Sequence, residues 1–263
     1  MFKKEKEQIE IIEGIINDAI DYGYLPLTLK DKIIGFILGF IVGFLAIQIF
    51  FGIWFVSLVV AVIAGIKAIE IYHNYLLTKR TKKLTMEFRD LLDSLSNSLS
   101  AGNNVTDSFT NALEDMKKQY GENAYITQEI NTIVVGLYNN ITIEELLDNF
   151  ARRSHIEDIQ DFSNTFCTCV RIGGNLKQIV QDCKDIISQK IDIELEIQTI
   201  IASSKNQLNI IIFMPFVIIG LMQMMGFSEI MELNITTITV KIIALIVFAF
   251  AYRLGQKMTK IEM

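Results

Sequence analysis

Histidine and cysteine are scarce in this chain, with two of the first and three of the second among 263 residues. Neither His73 nor His155 has another histidine or a cysteine at metal-ligand spacing. The serines Ser94, Ser96, Ser98 and Ser100 have no histidine base nearby in sequence, and a helix would scatter their hydroxyls around its axis. Cys167 and Cys169 are two residues apart, which on a helix turns them to nearly opposite sides and excludes joint chelation. With Cys183 they read as reduced, buried small hydrophobes of a cytosolic domain. Calcium finds no EF-hand spacing, and carboxylates on a helix spread around the axis. No catalytic, metal or cofactor constellation is expected, so the chain does not read as an enzyme.

Charge is missing altogether from Ile33 to Ile66. One straight helix over that run would be about 51 Å long, against a hydrocarbon core of about 30 Å. The run therefore predicts a membrane hairpin, roughly 33–49 and 53–72, turning near Gln48–Gly52 within a 33–72 segment. Gly35, Gly39 and Gly43 recur at four-residue spacing, the small-residue pattern that lets membrane helices approach closely. Leu208 to Ser228 is a second uncharged run, with Pro215 inside it. Proline is tolerated there because neighbours satisfy the freed carbonyl. A fourth span is expected at about 235–252, where Lys241 lies near enough to the end to snorkel, making 208–254 a C-terminal membrane pair.

Positive charge sets the orientation. Lys30 and Lys32 precede the first span, KRTKK (Lys79 to Lys83) follows the second, and Arg253, Lys257 and Lys260 follow the fourth. The connector SEIMELNITT has no basic residue. Both termini are thus expected in the cytoplasm, with no signal peptide. The N-terminal segment, 1–32, carries Ile9, Ile12, Ile16 and Ile20 along one face of a helix and packs on the body or binds a partner.

The soluble body, 84–207, holds 10 Lys plus Arg and 19 Asp plus Glu, a net of −9. With no basic stripe it is not a nucleic-acid binder. Anionic lipid should repel it and attract KRTKK. Six helical periodicities run along it. Their apolar faces are Phe88 to Leu99, Val105 to Met116, Ile126 to Leu137, Leu146 to Phe150, a fifth from about His155 to Ile172, and Leu176 to Ile191. Asn139–Asn140 are suited to a left-handed cap, and TIEE is a capping box in which Thr142 accepts from the N–H of Glu145. IDIELEI (Ile191 to Ile197) alternates as a strand would, but no second strand is present to pair with it. One long helix into the third span is expected instead, and the fold class is all-α.

RIGGNLKQIV (Arg171 to Val180) and its weaker echo LSNSLSAGNNVTDSF pose a choice between a phosphate loop and a bend between packed helices. A phosphate loop needs its glycines after a buried strand. Gly173, Gly174 and Asn175 follow a helix, as do Gly102 and Asn103, so both read as helix-hairpin turns.

Three longer blocks carry a family resemblance. FRDLLDSLSNSLSAGNNVTDSFTNALEDM (88–116) resembles the first half of the type II secretion F domain. TQEINTIVVGLYNNITIEELLDNFARRS (127–154) resembles its midsection, and DFSNTFCTCVRIGGNLKQIVQDCKDIISQKIDIELEI (161–197) its GGNL signature and following helix. The likeness covers about 84–227, including the MPF run at Met214–Phe216. It implies a polytopic inner-membrane platform protein with about four transmembrane helices and a cytoplasmic six-helix bundle. It also implies docking to a hexameric secretion ATPase, work on pilin or pseudopilin subunits, and pairing with a second platform protein or another copy of itself. A single copy of the domain behind a hairpin of spans is most similar to the Tad/Flp pilus subgroup.

Two groups are candidates for docking a partner. Arg152 and Arg153 either meet the ATPase, pair with Glu129 inside the bundle, or are solvated at the helix end. Asp182, Asp185, Asp192, Glu194 and Glu196 form an acidic stretch leading to the membrane, solvated or docked. Two rival functions remain at this point. A small transporter or channel predicts buried charge or broken helices near the bilayer midplane, where only Pro215, Gln223 and Lys241 offer themselves. A membrane-anchored nucleotide sensor predicts a strand before the glycines.

Overall fold

The computed structural model describes residues 11–13 and 18–225, with the helical positions Thr239, Ile243, Val247, Phe250, Arg253 and Leu254. The expected fourth span and its connector lie outside the described residues but for those positions. The chain divides into two units, Met1–Thr28 with His73–Asp192, and Leu29–Tyr72 with Ile193–Met263.

The N-terminal segment departs from the expected helical face. Ile11–Glu13 (β1) and Asp18–Ile20 (β2) pair antiparallel, Ile11 opposite Ile20 and Glu13 opposite Asp18. Isoleucines lose rotamer freedom in a helix and fit a pleated surface, and this stretch is rich in them. Ile9 and Ile16 lie outside the described residues. Beyond this pair, the regular structure among the described residues is helical.

In the unit containing 29–72, α1 (Leu29–Phe51) and the start of α2 (Trp54–Ser100) form the expected hairpin. Gly52 turns it with φ +67 and donates to the Gln48 carbonyl at 2.9 Å. Ser57 Oγ donates across the turn to Gln48 Oε1 at 3.0 Å. The glycine stripe meets a stripe of alanines and glycine on α2. A β-carbon on Gly39 would lie 2.3 Å from the Ala68 Cβ, and one on Gly43 2.7 Å from the Ala64 Cβ. The two backbones are therefore as close as side-chain-free positions allow. Ile33, Ile37, Ile41 and Leu45 on α1 and Phe55, Val59, Ile63 and Ile66 on α2 are exposed. Both helices are long and apolar enough to cross a membrane, and little of either apolar window is buried. A shorter apolar stretch, Asn209–Met222, lies in α7 (Leu176–Met224), which keeps helical form through Pro215.

The other unit is built from the rest of α2, then α3 (Val105–Tyr120), α4 (Tyr125–Tyr138), α5 (Ile143–Ser154), α6 (Glu157–Ile172) and the first part of α7. One apolar core draws on all six and on Tyr22. Phe88 packs edge-on against Phe162 at 5.4 Å and lies 6.3 Å from Phe150, while Phe109 meets Phe166 at 6.1 Å. Each buried phenyl removes enough apolar surface from water to contribute roughly 1.5–3 kcal/mol. The expected apolar faces supply this core, except that Cys169, Ile172 and Ile179 lie outside it. Ile172 stays 76% exposed at the end of α6. His155 also differs from expectation, for it does not begin α6 but ends α5 in the left-handed conformation at φ 53. IDIELEI is helical and continuous with the rest of α7.

Candidate functional site

The two hairpin tips share one construction. At the α6–α7 tip, Gly173 takes φ +74 and the Gly174 N–H returns to the Cys169 carbonyl at 2.9 Å. Asn175 then starts α7, its side chain accepting from the Gln178 N–H at 3.2 Å. At the α2–α3 tip, Gly102 takes φ +86, the Asn103 N–H returns to the Ser98 carbonyl at 3.3 Å, and Asn104 caps α3 by accepting from Asp107. Each tip is a helix stop in which a left-handed glycine lets the sixth N–H reach the first carbonyl, followed at once by a helix start. These bonds serve helix ends, as in bends between packed helices. Asn104, which the reading of the sequence passed over, occupies the position of Asn175. Asn140, at φ 59, closes α4 in the same way, with the Ile141 N–H on the Gly136 carbonyl at 3.0 Å.

A cluster of polar and charged groups is buried inside this unit. Arg153 and Glu129 form a buried bidentate pair, Nη1 to Oε1 at 2.9 Å and Nη2 to Oε2 at 2.6 Å. Tyr22 donates to the same Oε1 at 2.8 Å. Arg153 also donates to Asn149 Oδ1 at 2.7 Å and to the Ile20 carbonyl at 2.9 Å. Burial by itself would lower the Arg153 pKa, and the hydrogen bonds and charge of Glu129 more than reverse it. Burial, followed by the Glu129 charge, holds the Tyr22 phenol neutral far above the usual tyrosine range. The segment after β2 is thereby tied to α4 and α5, with Tyr22 N–H on the Arg153 carbonyl at 2.9 Å.

Arg80 ties it to α2 as well. It donates to the Tyr24 carbonyl at 3.1 Å, and its guanidinium lies 5.0 Å from the Tyr22 ring centre and 5.1 Å from that of Tyr125. Its Nε and Nη2 have no hydrogen-bond partner, so the two ring faces supply the electrostatic compensation. The KRTKK cluster is therefore not uniformly a surface feature, because Arg80 is 5% exposed. Glu87, also buried, accepts from the Ile126 N–H at 3.2 Å and so caps α4, whose own cap residue, Ala124, supplies no side-chain bond.

The docking candidates separate. Arg153 is spent inside, while Arg152 is exposed and paired with Asp148 at 2.5 Å. Asp182 and Asp192 are exposed and Asp185 partly so. At about 100° per residue these three fall on one side of α7, and Glu194 lies on another. Asp182 and Asp185 accept from Gln178 at 2.7 Å and Gln181 at 3.1 Å, a turn earlier on the same helix. Glu194 is half-buried and accepts from Gln198 at 3.1 Å, and Glu196 is exposed. Cys169 is buried, and burial pushes the Cys167 and Cys183 thiols up, away from reactivity. Among the described residues no group of histidine, cysteine and carboxylates is placed to hold a metal ion. The serines are satisfied structurally, as where Ser94 donates to Asp115 at 2.7 Å and Ser96 to Gln181 at 2.8 Å. This geometry holds helices together and offers surfaces.

No curated protein and no solved structure matches the chain. The family model for type II secretion system (T2SS), protein F, matches residues 91–224. Its proteins are membrane platform components of secretion and pilus-type machines, which suits a chain bearing two exposed apolar helices of membrane-crossing length. The matched region takes in both hairpin tips, the Glu129–Arg153 pair and all of α7, just over half of the 263 residues, and the chain belongs to the protein F family of type II secretion systems.

Proposed function

We propose that this chain is the inner-membrane platform of a Tad/Flp-like type IV filament or type II secretion machine. It couples a hexameric cytoplasmic secretion ATPase to the assembly of pilin or pseudopilin subunits. The observation that carries this reading is the single family match at 91–224 downstream of an apolar hairpin. Four spans fit it best, the α1–α2 hairpin with Leu208 to Ser228 and about 235–252, leaving both termini in the cytoplasm. The six helical segments that share one core are then a cytoplasmic bundle, and ATP-driven motion passes through it along α7. The unbroken run of α7 from Leu176 to Met224 supports that role, since a stiff helix transmits displacement where a jointed one absorbs it.

The test is capture of the same host's secretion-type ATPase by the full chain, solubilised in an uncharged detergent and immobilised through its C-terminus. Saturable retention of the ATPase hexamer, and no retention of an unrelated hexameric ATPase, is the expected result. Equal retention of both, or of neither, by a helical and monodisperse chain would remove ATPase coupling from this proposal.

A further inference from the structure

Residues 20–25 form a strap over the helical unit, held by groups on α2, α4 and the end of α5. The Ile20 carbonyl accepts from Arg153 at 2.9 Å, Asp21 Oδ1 lies 2.9 Å from His155 Nε2, and Tyr22 donates to Glu129 at 2.8 Å. On α2, Arg80 donates to the Tyr24 carbonyl at 3.1 Å and His73 to the Leu25 carbonyl at 3.0 Å. Arg80 is poorly served by this arrangement. A guanidinium carries five N–H donors, and at Arg80 both Nε and Nη2 are buried with no hydrogen-bond partner among the described residues. The Tyr22 and Tyr125 rings lie against it at 5.0 and 5.1 Å. A ring face offsets the loss of water around a cation only in part, where charge-assisted hydrogen bonds would do so more fully. Two of these three contacts on Arg80 belong to the strap.

Arg80 also stands where α2 leaves its apolar stretch. It is 26 residues past Trp54, about 39 Å along the helix, against about 30 Å of hydrocarbon with a headgroup layer beyond. Its neighbours Lys79 and Lys83 are exposed. The carboxylates around it are occupied. Glu70 pairs with Lys67 at 3.9 Å, and Glu87 is buried against the Ile126 N–H, with Lys83 at 3.7 Å. Glu129 is shared by Arg153 and Tyr22, and Asp21 meets His155. The exposed charge on residues 79–83 of α2 is therefore positive, and Arg80 is the member of that cluster which the strap withholds.

We infer that Arg80 is a latent ligand for the phosphate of an anionic phospholipid headgroup, sealed by the strap. Seating of the strap and lipid binding exclude each other, because Nη1 holds the Tyr24 carbonyl and the Tyr22 ring covers the guanidinium. Lys79 and Lys83 draw anionic lipid to this turn of α2. A phosphate supplies the bidentate acceptor that the buried guanidinium lacks, and Arg80, in turning to it, lets residues 20–25 lift from the unit. Lipid is the occupant because α2, on leaving the hydrocarbon, delivers this turn to the headgroup layer, within the reach of an arginine side chain. The inference needs α2 to enter the membrane and is independent of the ATPase.

Hydrogen exchange of the full chain, reconstituted in vesicles of phosphatidylcholine alone or mixed with phosphatidylglycerol, tests it. Phosphatidylglycerol is expected to speed exchange in residues 20–25 by roughly fivefold or more, the lower end of ordinary coupling between two sites, and to leave α6 unchanged. Arg80→Gln should abolish the response, whatever its exchange in phosphatidylcholine, while Arg171→Gln with Lys177→Gln, at the α6–α7 tip, should keep it. Tyr22→Phe retains the ring and drops only the bond to Glu129. By reciprocity its strap should lift at a lower fraction of phosphatidylglycerol. Exchange equal in the two lipids would overturn the inference. A response that survives in Arg80→Gln, or that the tip variant abolishes, would overturn it too, by reducing the effect to general attraction. So would an unaltered phosphatidylglycerol requirement in Tyr22→Phe. The same response to soluble glycerol phosphate in phosphatidylcholine vesicles counts equally against it, for then a free phosphate is the ligand.

Discussion

Tyr22 and Glu129 are 107 residues apart in the chain, yet the Tyr22 phenol donates to Glu129 Oε1 at 2.8 Å inside the helical unit. The contact makes an irregular segment part of the core. Tyr22 brings a ring that stacks edge-on with Tyr125 at 5.6 Å and covers the Arg80 guanidinium, and it brings a hydroxyl that satisfies an oxygen Arg153 shares. A buried carboxylate with one partner is costly, whereas one with a bidentate arginine and a phenol is nearly saturated.

That saturation sets the first prediction. Arg153→Met strands Glu129 in the interior and should destabilise the chain by about 3–5 kcal/mol. Glu129→Leu strands Arg153 and should cost a similar amount. The double variant buries no charge and should be more stable than either single one. Thermal melts of the solubilised chain, followed by circular dichroism, measure all three. Strictly additive losses would show that the two groups are not coupled.

The helices were legible from apolar periodicity because each one buries a single stripe against a shared core. Phe88, Phe109, Ile130, Phe150 and Phe166 all emerge from that pattern. A pairing of Glu129 with Arg152 or Arg153 was visible as one option, since charges at helix ends either face water or meet an opposite charge inside, but which arginine turns inward was not. Tyr22, Arg80 and Glu87 carried no such signal. Tyr22 sits in a segment without periodicity, Arg80 lies among lysines that mark a membrane edge, and Glu87 caps a helix 39 residues further along the chain. Contacts of this kind exist only once the helices have packed, so local pattern does not announce them. The two strands were missed for a related reason, because a short isoleucine-rich stretch matches a helical face as readily as a pleated one.

The neighbouring glycines of the α6–α7 tip are required for different reasons, and their variants should separate. Gly173 has open space around it but a φ of +74, so Gly173→Ala should cost about 1–2 kcal/mol and Gly173→Asn less. Gly174 has no such φ, and its obstacle is the Cys169 sulfur 2.6 Å from a β-carbon. Cys169→Ala should therefore recover most of the loss caused by Gly174→Ala and none of that caused by Gly173→Ala. Melting temperatures of these variants decide it, and rescue of both glycine changes would mean that Cys169 acts on the tip in some other way.

Alkaline pH should act through Tyr120. Burial, then its hydrogen bond to Asp90, pushes the Tyr120 phenol from 10.0 up to about 12. The folded state thus holds its proton more tightly than the unfolded chain, so the stability this contributes is whole below about pH 10 and is lost as pH rises towards 12. Tyr120→Phe cannot ionise and should show a shallower fall in melting temperature across that window. Parallel curves for the wild type and the variant would place Tyr120 in ordinary solvent.

Among the described residues, the shortest contact that a glycine's added β-carbon would make lies in the α1–α2 hairpin, at Gly39. A β-carbon on Gly43 would lie 2.7 Å from the Ala64 Cβ and 3.3 Å from the Ala61 Cα. The first contact is impossible without movement of the helices, and the second is merely tight. Gly43→Ala should therefore push α1 away from α2, and adding Ala64→Gly should let it return, because the methyl is only transferred from one helix to the other. Gly39 offers no such exchange. Its β-carbon would also meet the Ala64 carbonyl oxygen at 2.8 Å, a backbone atom that no substitution removes. Gly39→Ala with Ala68→Gly should stay impaired where Gly43→Ala with Ala64→Gly recovers. Resistance of the hairpin to unfolding in a denaturing detergent gives the comparison. Equal recovery of both pairs would mean that the two helices adjust freely and that the glycine stripe does not set their separation.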